Sequence, residues 1–159
     1  MSSNVVVTAR LRPLDDHQPC GLKSSTVAVQ MPARAGADPK LFRLDGVLSA
    51  DASQRECFET TTEPLVASLM NGFNGTVMAY GQTGAGKSHT LFGPDGDYEN
   101  RGICARAITS VFRHISRQGL RDRASVGISA LECYNEGLFD MLAPPADSLG
   151  RPRWESGLG

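Results

Sequence analysis

The run Gly81-Gln82-Thr83-Gly84-Ala85-Gly86-Lys87-Ser88 constrains this chain more than any other segment, because it satisfies G-x-x-x-x-G-K-[ST] without interruption. That spacing is a geometric requirement. Glycines let the main chain curl until consecutive N–H groups point inward and form a concave anion cradle. A helix starting near Gly86 aims its positive end at the same place. Lys87 can then reach terminal phosphates, and the Ser88 hydroxyl can ligate magnesium. Upstream, Thr76-Val77-Met78-Ala79-Tyr80 is β-branched and apolar, so the local order is strand, glycine loop, helix. Binding of a nucleoside triphosphate with Mg2+ is the expected chemistry.

The rest of the chain has room for one domain around that loop. Its 159 residues are 40% hydrophobic and 21% charged, the balance of an ordinary globular protein. The net charge of −1 gives no general attraction to nucleic acid or to an anionic membrane, and no apolar stretch approaches the length that spans a bilayer. Neither nucleic acid nor membrane is therefore expected as a partner. Cys20, Cys57, Cys104 and Cys133 are far apart, with no C-x-x-C pair. This argues against zinc and for reduced thiols in a cytoplasmic protein, with Cys57, Cys104 and Cys133 as small buried hydrophobes.

Periodicity supplies the other elements. Val5–Ala9, Thr26–Gln30 and Leu41–Leu44 are strand candidates, the last ending at an Asp45-Gly46 turn. Met31 to Lys40 reads as a surface excursion. Ser53 followed by Glu56 is a capping box for a helix beginning near Gln54, with Phe58, Leu65, Val66 and Leu69 on its buried side. Pro64 kinks or restarts that helix, and Asn71-Gly72 ends it. The helix after the phosphate loop stops at Gly93-Pro94. Ile103, Ala107, Ile108, Val111, Phe112 and Ile115 then mark an amphipathic helix, with Arg106, Arg113 and Arg117 on a solvated face. Ser125–Tyr134 reads as a strand and Leu138–Leu142 as a short helix that Asn135 could cap, ending at Pro144-Pro145. Strands interleaved with helices argue for an α/β layered fold with a central, mainly parallel sheet, the loop lying at the carboxyl end of a central strand.

Beyond the loop itself, the stretch from Tyr80 through Ser88-His89-Thr90 resembles the kinesin motor domain. Arg10-Leu11-Arg12-Pro13 is similar to that family's R-x-R-P adenine-site motif, and Asn74–Tyr80 to its strand into the loop. Arg101-Gly102-Ile103 resembles the start of its next long helix. Leu131-Glu132-Cys133-Tyr134-Asn135-Glu136, with Phe139-Asp140-Met141-Leu142, is similar to its E-x-Y-N-E…D-L-L segment. Leu44–Leu48 with Asp51–Gln54 looks most like the kinesin-nine group, which is associated with cilia and flagella.

The resemblance implies a P-loop NTPase layered fold over residues 1–143, truncated, that binds ATP and Mg2+. Gly81 to Ser88 would hold the phosphates, with Ser88 on the metal, and Arg10, Arg12, Pro13 and His89 would border the adenine. Taken alone, Arg-x-Arg-Pro marks a strand end, and a His beside such a loop marks a helix surface; their coincidence with the loop favours the base. The implied parent activity is ATP hydrolysis coupled to movement along microtubules in the cytoskeleton. Oligomeric state is not implied. The family's two switch motifs, N-x-x-S-S-R-S-H and D-L-A-G-S-E, do not occur here, so no catalytic residue is assigned and turnover by this chain is in doubt. Asp147-Ser148-Leu149-Gly150 fits D-x-x-G, but it follows Pro144-Pro145-Ala146 rather than a buried strand. Residues 144–159 read as a disordered tail outside the family pattern. Two alternatives remain beside the motor reading: a non-catalytic nucleotide-binding module, and an unrelated phosphate-loop kinase or GTPase. The guanine-reading N-K-x-D is absent. Central strands without partners would leave apolar surface open and the isolated chain poorly stable.

Overall fold

A computed structural model describes residues 5–13, 23–25, 28–31, 38 and 40–143. The expected tail, the D-x-x-G at Asp147, Cys20 and most of the 31–40 excursion lie outside them. The chain divides into two compact units, Met1–Gly119 and Leu120–Gly159.

In the first unit the elements run β1 (Thr8–Arg10), β2 (Lys23–Ser25), β3 (Ala28–Met31), β4 (Lys40–Arg43), β5 (Gly46–Leu48), α1 (Gln54–Thr61), α2 (Glu63–Met70), α3 (Lys87–Leu91) and α4 (Ile103–Arg117). β1 and β5 pair in parallel, with Thr8 opposite Gly46 and Arg10 opposite Leu48. β2, β3 and β4 form an antiparallel ribbon. The turn expected at Asp45-Gly46 is shorter than anticipated, because Gly46 already opens β5. There the Asp45 carboxylate accepts from Val7 N–H at 2.7 Å, satisfying a donor just before β1 begins.

Local signals account for the helices. Ser53 Oγ accepts the Glu56 N–H at 3.0 Å, a side-chain cap that fixes where α1 starts. Thr62 separates α1 from α2, and Pro64 falls within the first two positions of the new helix, where its missing N–H is not needed. Gly72, at φ +86°, follows the end of α2. The core gathers Leu48, Ala52, Cys57 and Ile103 where β5, α1 and the start of α4 meet. Phe58 and Val66 are buried as expected, whereas Leu69 is exposed. On α4 the buried residues are Ile103, Ser110 and Ile115, and Ser110 Oγ donates to Glu63 Oε1 at 3.0 Å across to α2. Ile108 and Phe112 of the expected apolar stripe remain open to solvent.

No central parallel sheet is formed among the described residues. Among the described residues parallel pairing is confined to β1 and β5, and Thr76–Tyr80 pairs with no strand. Strand formation depends on a neighbour supplying the opposite half of the ladder, and none of the described segments does so here. Met78 and Tyr80 are accordingly 83% and 97% exposed.

The second unit contains a hairpin, β6 (Leu131–Tyr134) and β7 (Gly137–Asp140), with Tyr134 opposite Gly137. The helix expected over Leu138–Leu142 is therefore a strand. Asn135 does not cap a helix; with Glu136 it forms a two-residue turn, at φ +48° and +65°. Two left-handed residues between antiparallel strands make the mirror-image turn whose twist suits a hairpin. Residues 125–130 of the expected strand form no strand among the described residues, although Ala130 O accepts from Met141 N–H at 2.8 Å.

Candidate functional site

The phosphate loop folds on contacts within eight residues. Ala85 N–H donates to Gln82 O at 3.1 Å, closing a tight turn. Gly84 and Gly86 sit at φ +80° and +93°, in the left-handed region that side chains resist. A Cβ added at either would meet nothing within 4 Å, so the glycines are needed for conformation and the space beside them stays open for a ligand. At Gly81 the reason differs: a Cβ would lie 3.0 Å from Ala85 Cβ, where the two ends of the loop approach each other.

Lys87 folds back over this turn. Its ammonium donates to Gly81 O at 2.8 Å and to Gln82 O at 3.0 Å. An ammonium has three donors, so one is left for a ligand while the other two hold the side chain over the loop. Thr83, Gly84, Gly86, Lys87, Ser88 and His89 line a cavity of about 320 Å³. Ser88 is exposed in the first turn of α3. With only five residues, α3 sums fewer peptide dipoles than a long helix does. The attraction for an anion must therefore come mainly from the loop amides and Lys87.

α3 is seated by two glycines at its far end. Gly93, at φ +86°, donates to His89 O at 3.0 Å, and Gly102 N–H donates to Phe92 O at 2.8 Å. A Cβ on Gly102 would fall 2.4 Å from the Leu91 carbonyl carbon, so the start of α4 lies directly against the end of α3. Arg106, expected on a solvated helix face, instead donates to Arg101 O at 2.9 Å and Glu99 O at 2.6 Å and pins the loop between the helices. Arg113 and Arg117 are exposed. A second cavity, of about 390 Å³, is lined in part by Asp95, Asp97 and Arg101; its carboxylates disfavour a phosphate there.

The residues expected at the base divide by role. Arg12 Nη1 donates to Gly84 O at 2.9 Å, reaching from the end of β1 to the phosphate loop. Arg10 is engaged more fully: Nη1 donates to Gln54 Oε1 at 2.7 Å and Thr90 Oγ1 at 3.0 Å, and Nη2 to Ala52 O at 3.2 Å. Its guanidinium ties β1, the start of α1 and α3 together. His89 is exposed beside the cavity, and its carbonyl accepts from Gln54 Nε2 at 2.6 Å. Pro13 is exposed in the chain beyond β1. Gln54 is the residue sequence reading passed over. It opens α1 in a run of charged neighbours, and no spacing rule separates it from a surface glutamine. Yet it is only 4% exposed.

Three of these segments (β1, the start of α1 and α3) are tied together in the first unit by the Arg10 and Gln54 bonds. Residues 7–154 match the family model described as the kinesin motor domain. The chain is 48% identical over 102 residues to kinesin-like protein KIF9 of Homo sapiens, covering 64% of this chain and 13% of that protein. It is 37% identical over 152 residues to kinesin-like protein KIF3C of Bos taurus, covering 89% and 19% respectively. With kinesin-like protein KIF15 of Strongylocentrotus purpuratus it shares 35% identity over 159 residues, 92% of this chain and 11% of the relative. The chain thus spans less than a fifth of the length of each of these relatives.

Proposed function

The chain belongs to the kinesin motor-domain family, and from that premise we propose that residues 1–143 form the ATP-binding part of a microtubule motor with the layered P-loop NTPase fold. The observation that carries this reading is the geometry of one turn. Two left-handed glycines and a folded-back lysine face an open cavity whose walls include Gly86, Lys87 and Ser88, three of the four fixed positions of G-x-x-x-x-G-K-[ST].

These residues suit a triphosphate with its magnesium. The open space above Gly84 and Gly86 lets phosphate oxygens approach main-chain amides without meeting a side chain. Lys87 supplies the positive charge and offers its third N–H to a phosphate oxygen while the other two stay on the loop carbonyls. Ser88, one residue on, would hold the magnesium, which keeps most of its ligands from phosphate and water. That ion neutralises phosphate charge when bound. Arg12 braces the loop, while His89 and Pro13 offer flat or apolar surfaces to a purine. The 143 boundary is where the sequence leaves the family's motif pattern after Leu142, whereas the family match runs on to residue 154.

In the parent motor the bound ATP is hydrolysed and the energy coupled to movement on microtubules, which places the protein on the cytoskeleton of the cytoplasm. Its kinesin-nine-like character points to a cilium or flagellum. A second reading has a specific observation behind it: neither switch motif occurs in residues 1–159, so on this reading the segment binds nucleotide without turning it over. Microtubule co-pelleting with measured phosphate release separates the two. Polymer-stimulated release supports the motor, and binding without release supports the module. In either case Lys87→Ala is expected to abolish binding of a fluorescent ATP analogue, and unchanged affinity would remove the site assignment.

A further inference from the structure

Gln54 is a buried amide whose two ends are chemically fixed. Its Oε1 faces Arg10 Nη1, which can only donate, at 2.7 Å. Its Nε2 faces the His89 carbonyl, which can only accept, at 2.6 Å. The oxygen and nitrogen positions are thus dictated by the partners, and a flipped amide would break both bonds. Nε2 also lies 3.5 Å from His89 Nδ1. An amide N–H there favours the tautomer with Nδ1 as acceptor and the Nε2 proton directed away.

The bonds join residues far apart in sequence. Arg10 carries the strand that leads to Arg12 and Pro13; His89 lies one residue beyond Ser88. Both sides of the proposed purine position are therefore referenced to one side chain at the start of α1. Gln54 itself is only 4% exposed, so loss of the amide removes a side-chain donor from the His89 carbonyl, which keeps only main-chain donors such as Gly93 N–H at 3.0 Å, and removes the Arg10 acceptor as well. The phosphate loop is held chiefly by its own turn and by Lys87, neither of which is bonded to Gln54, with Arg12 adding one bond to Gly84 O.

We propose that Gln54 is a positioning residue for the nucleotide base, setting His89 and the Arg10–Pro13 segment against a purine while leaving the triphosphate grip unaffected. This rests on the ATP-binding reading above. It predicts that base-dependent and phosphate-dependent affinity respond separately to the same substitution.

The test compares ATP with inorganic tripolyphosphate, both with Mg2+, by titration calorimetry on the full chain and on Gln54→Leu and Gln54→Glu. Leucine keeps bulk and removes both bonds. Glutamate keeps the acceptor for Arg10 and removes the donor to His89. Both variants are expected to weaken ATP roughly tenfold, the scale of a lost buried hydrogen bond, with tripolyphosphate affinity unchanged. Far-UV circular dichroism and the thermal midpoint of each variant report whether it is folded. An unchanged ATP affinity overturns the proposal. So does an equal loss of both ligands in both variants, which would make Gln54 a general packing residue. Equal affinity of the unsubstituted chain for the two ligands overturns it as well, while leaving the phosphate-loop reading intact. If the unsubstituted chain binds neither ligand, the ATP-binding reading itself fails and takes this one with it.

Discussion

Replacing Gly102 with alanine should uncouple the phosphate-loop helix from its neighbour. Gly102 has φ −78° and ψ −170°, a conformation open to any residue, so the substitution introduces no backbone strain of its own. The cost is steric. The added Cβ would sit 2.4 Å from Leu91 C and 2.5 Å from both Leu91 O and Phe92 N, where non-bonded carbon atoms prefer about 3.5–4.0 Å. All three obstructing atoms are backbone, which cannot rotate away as a side chain would. Relief requires the end of α3 to retreat by about 1 Å, stretching the 2.8 Å bond from Gly102 N–H to Phe92 O. Overpacking of this kind costs about 1–3 kcal/mol, and a weakened hydrogen bond adds about 1.

A total near 3 kcal/mol corresponds to a thermal midpoint lowered by roughly 6–12 °C in a chain of this size. Gly96→Ala is the control. Gly96 sits at φ +73° with nothing within 4 Å of a built Cβ, so alanine there incurs only the left-handed penalty, roughly 1 kcal/mol, partly offset by a stiffer unfolded chain. Urea unfolding followed by circular dichroism should rank Gly102→Ala well below Gly96→Ala. Equal midpoints would refute the claim that the contact between α3 and α4 is rigid. Because α3 carries Lys87 and Ser88, affinity for ATP should fall in Gly102→Ala and hold in Gly96→Ala.

The remaining expectations concern separate parts of the chain. Glu136→Gly should stabilise the β6–β7 hairpin by about 1 kcal/mol, since Glu136 occupies a left-handed position at φ +65°; amide exchange in β6 and β7 should slow, and unchanged or faster exchange would contradict the turn geometry. Hydrogen bonds from Asn100 to the Asp97 carboxylate hold its titration below the ordinary Asp value of 3.8. A depressed folded value means the stabilisation is present above the unfolded pKa and lost as pH falls through the folded one. The 94–101 loop should therefore loosen only in strong acid, and an Asp97 titration by NMR at or above 3.8 would contradict this. Burial pushes the Cys57 thiol upward, with nearby Arg10 partly opposing it, and burial also raises Cys104, while Cys133 is exposed. Alkylation followed by mass spectrometry should label Cys133 first and Cys57 last of these three.

What could be read in advance was what short stretches determine. The Ser53 cap, the restart at Pro64 and the loop from Gly81 to Ser88 depend on residues within a few positions of each other. The sequence carries those positions directly. The hairpin was misread because Leu138, Phe139, Met141 and Leu142 recur at spacings that also fit a helix. The deciding feature was Asn135 ahead of a second left-handed residue, whose positive φ becomes apparent only once the strands pair. Thr76–Tyr80 has strand composition, but composition does not supply a neighbour. The strand character of β4 was legible; its antiparallel partnership with β3 was not, because pairing joins segments through register rather than through local propensity.

The same distinction divides the site itself. The phosphate half is encoded locally: Lys87 bonds carbonyls five and six residues back, and the glycine conformations need no external support. It therefore takes shape even though the strand leading into it has no ladder partner. The base half is assembled over long separations, with Arg10 meeting Gln54 and Thr90 across 44 and 80 residues and Gln54 meeting His89 across 35. Contacts of that range exist only if β1, α1 and α3 are all docked, and each must offset a larger loss of chain entropy than the local turn does. Loosening α1 should accordingly erode discrimination between nucleotides before it erodes the grip on phosphate. That order follows from where the bonds lie along the chain.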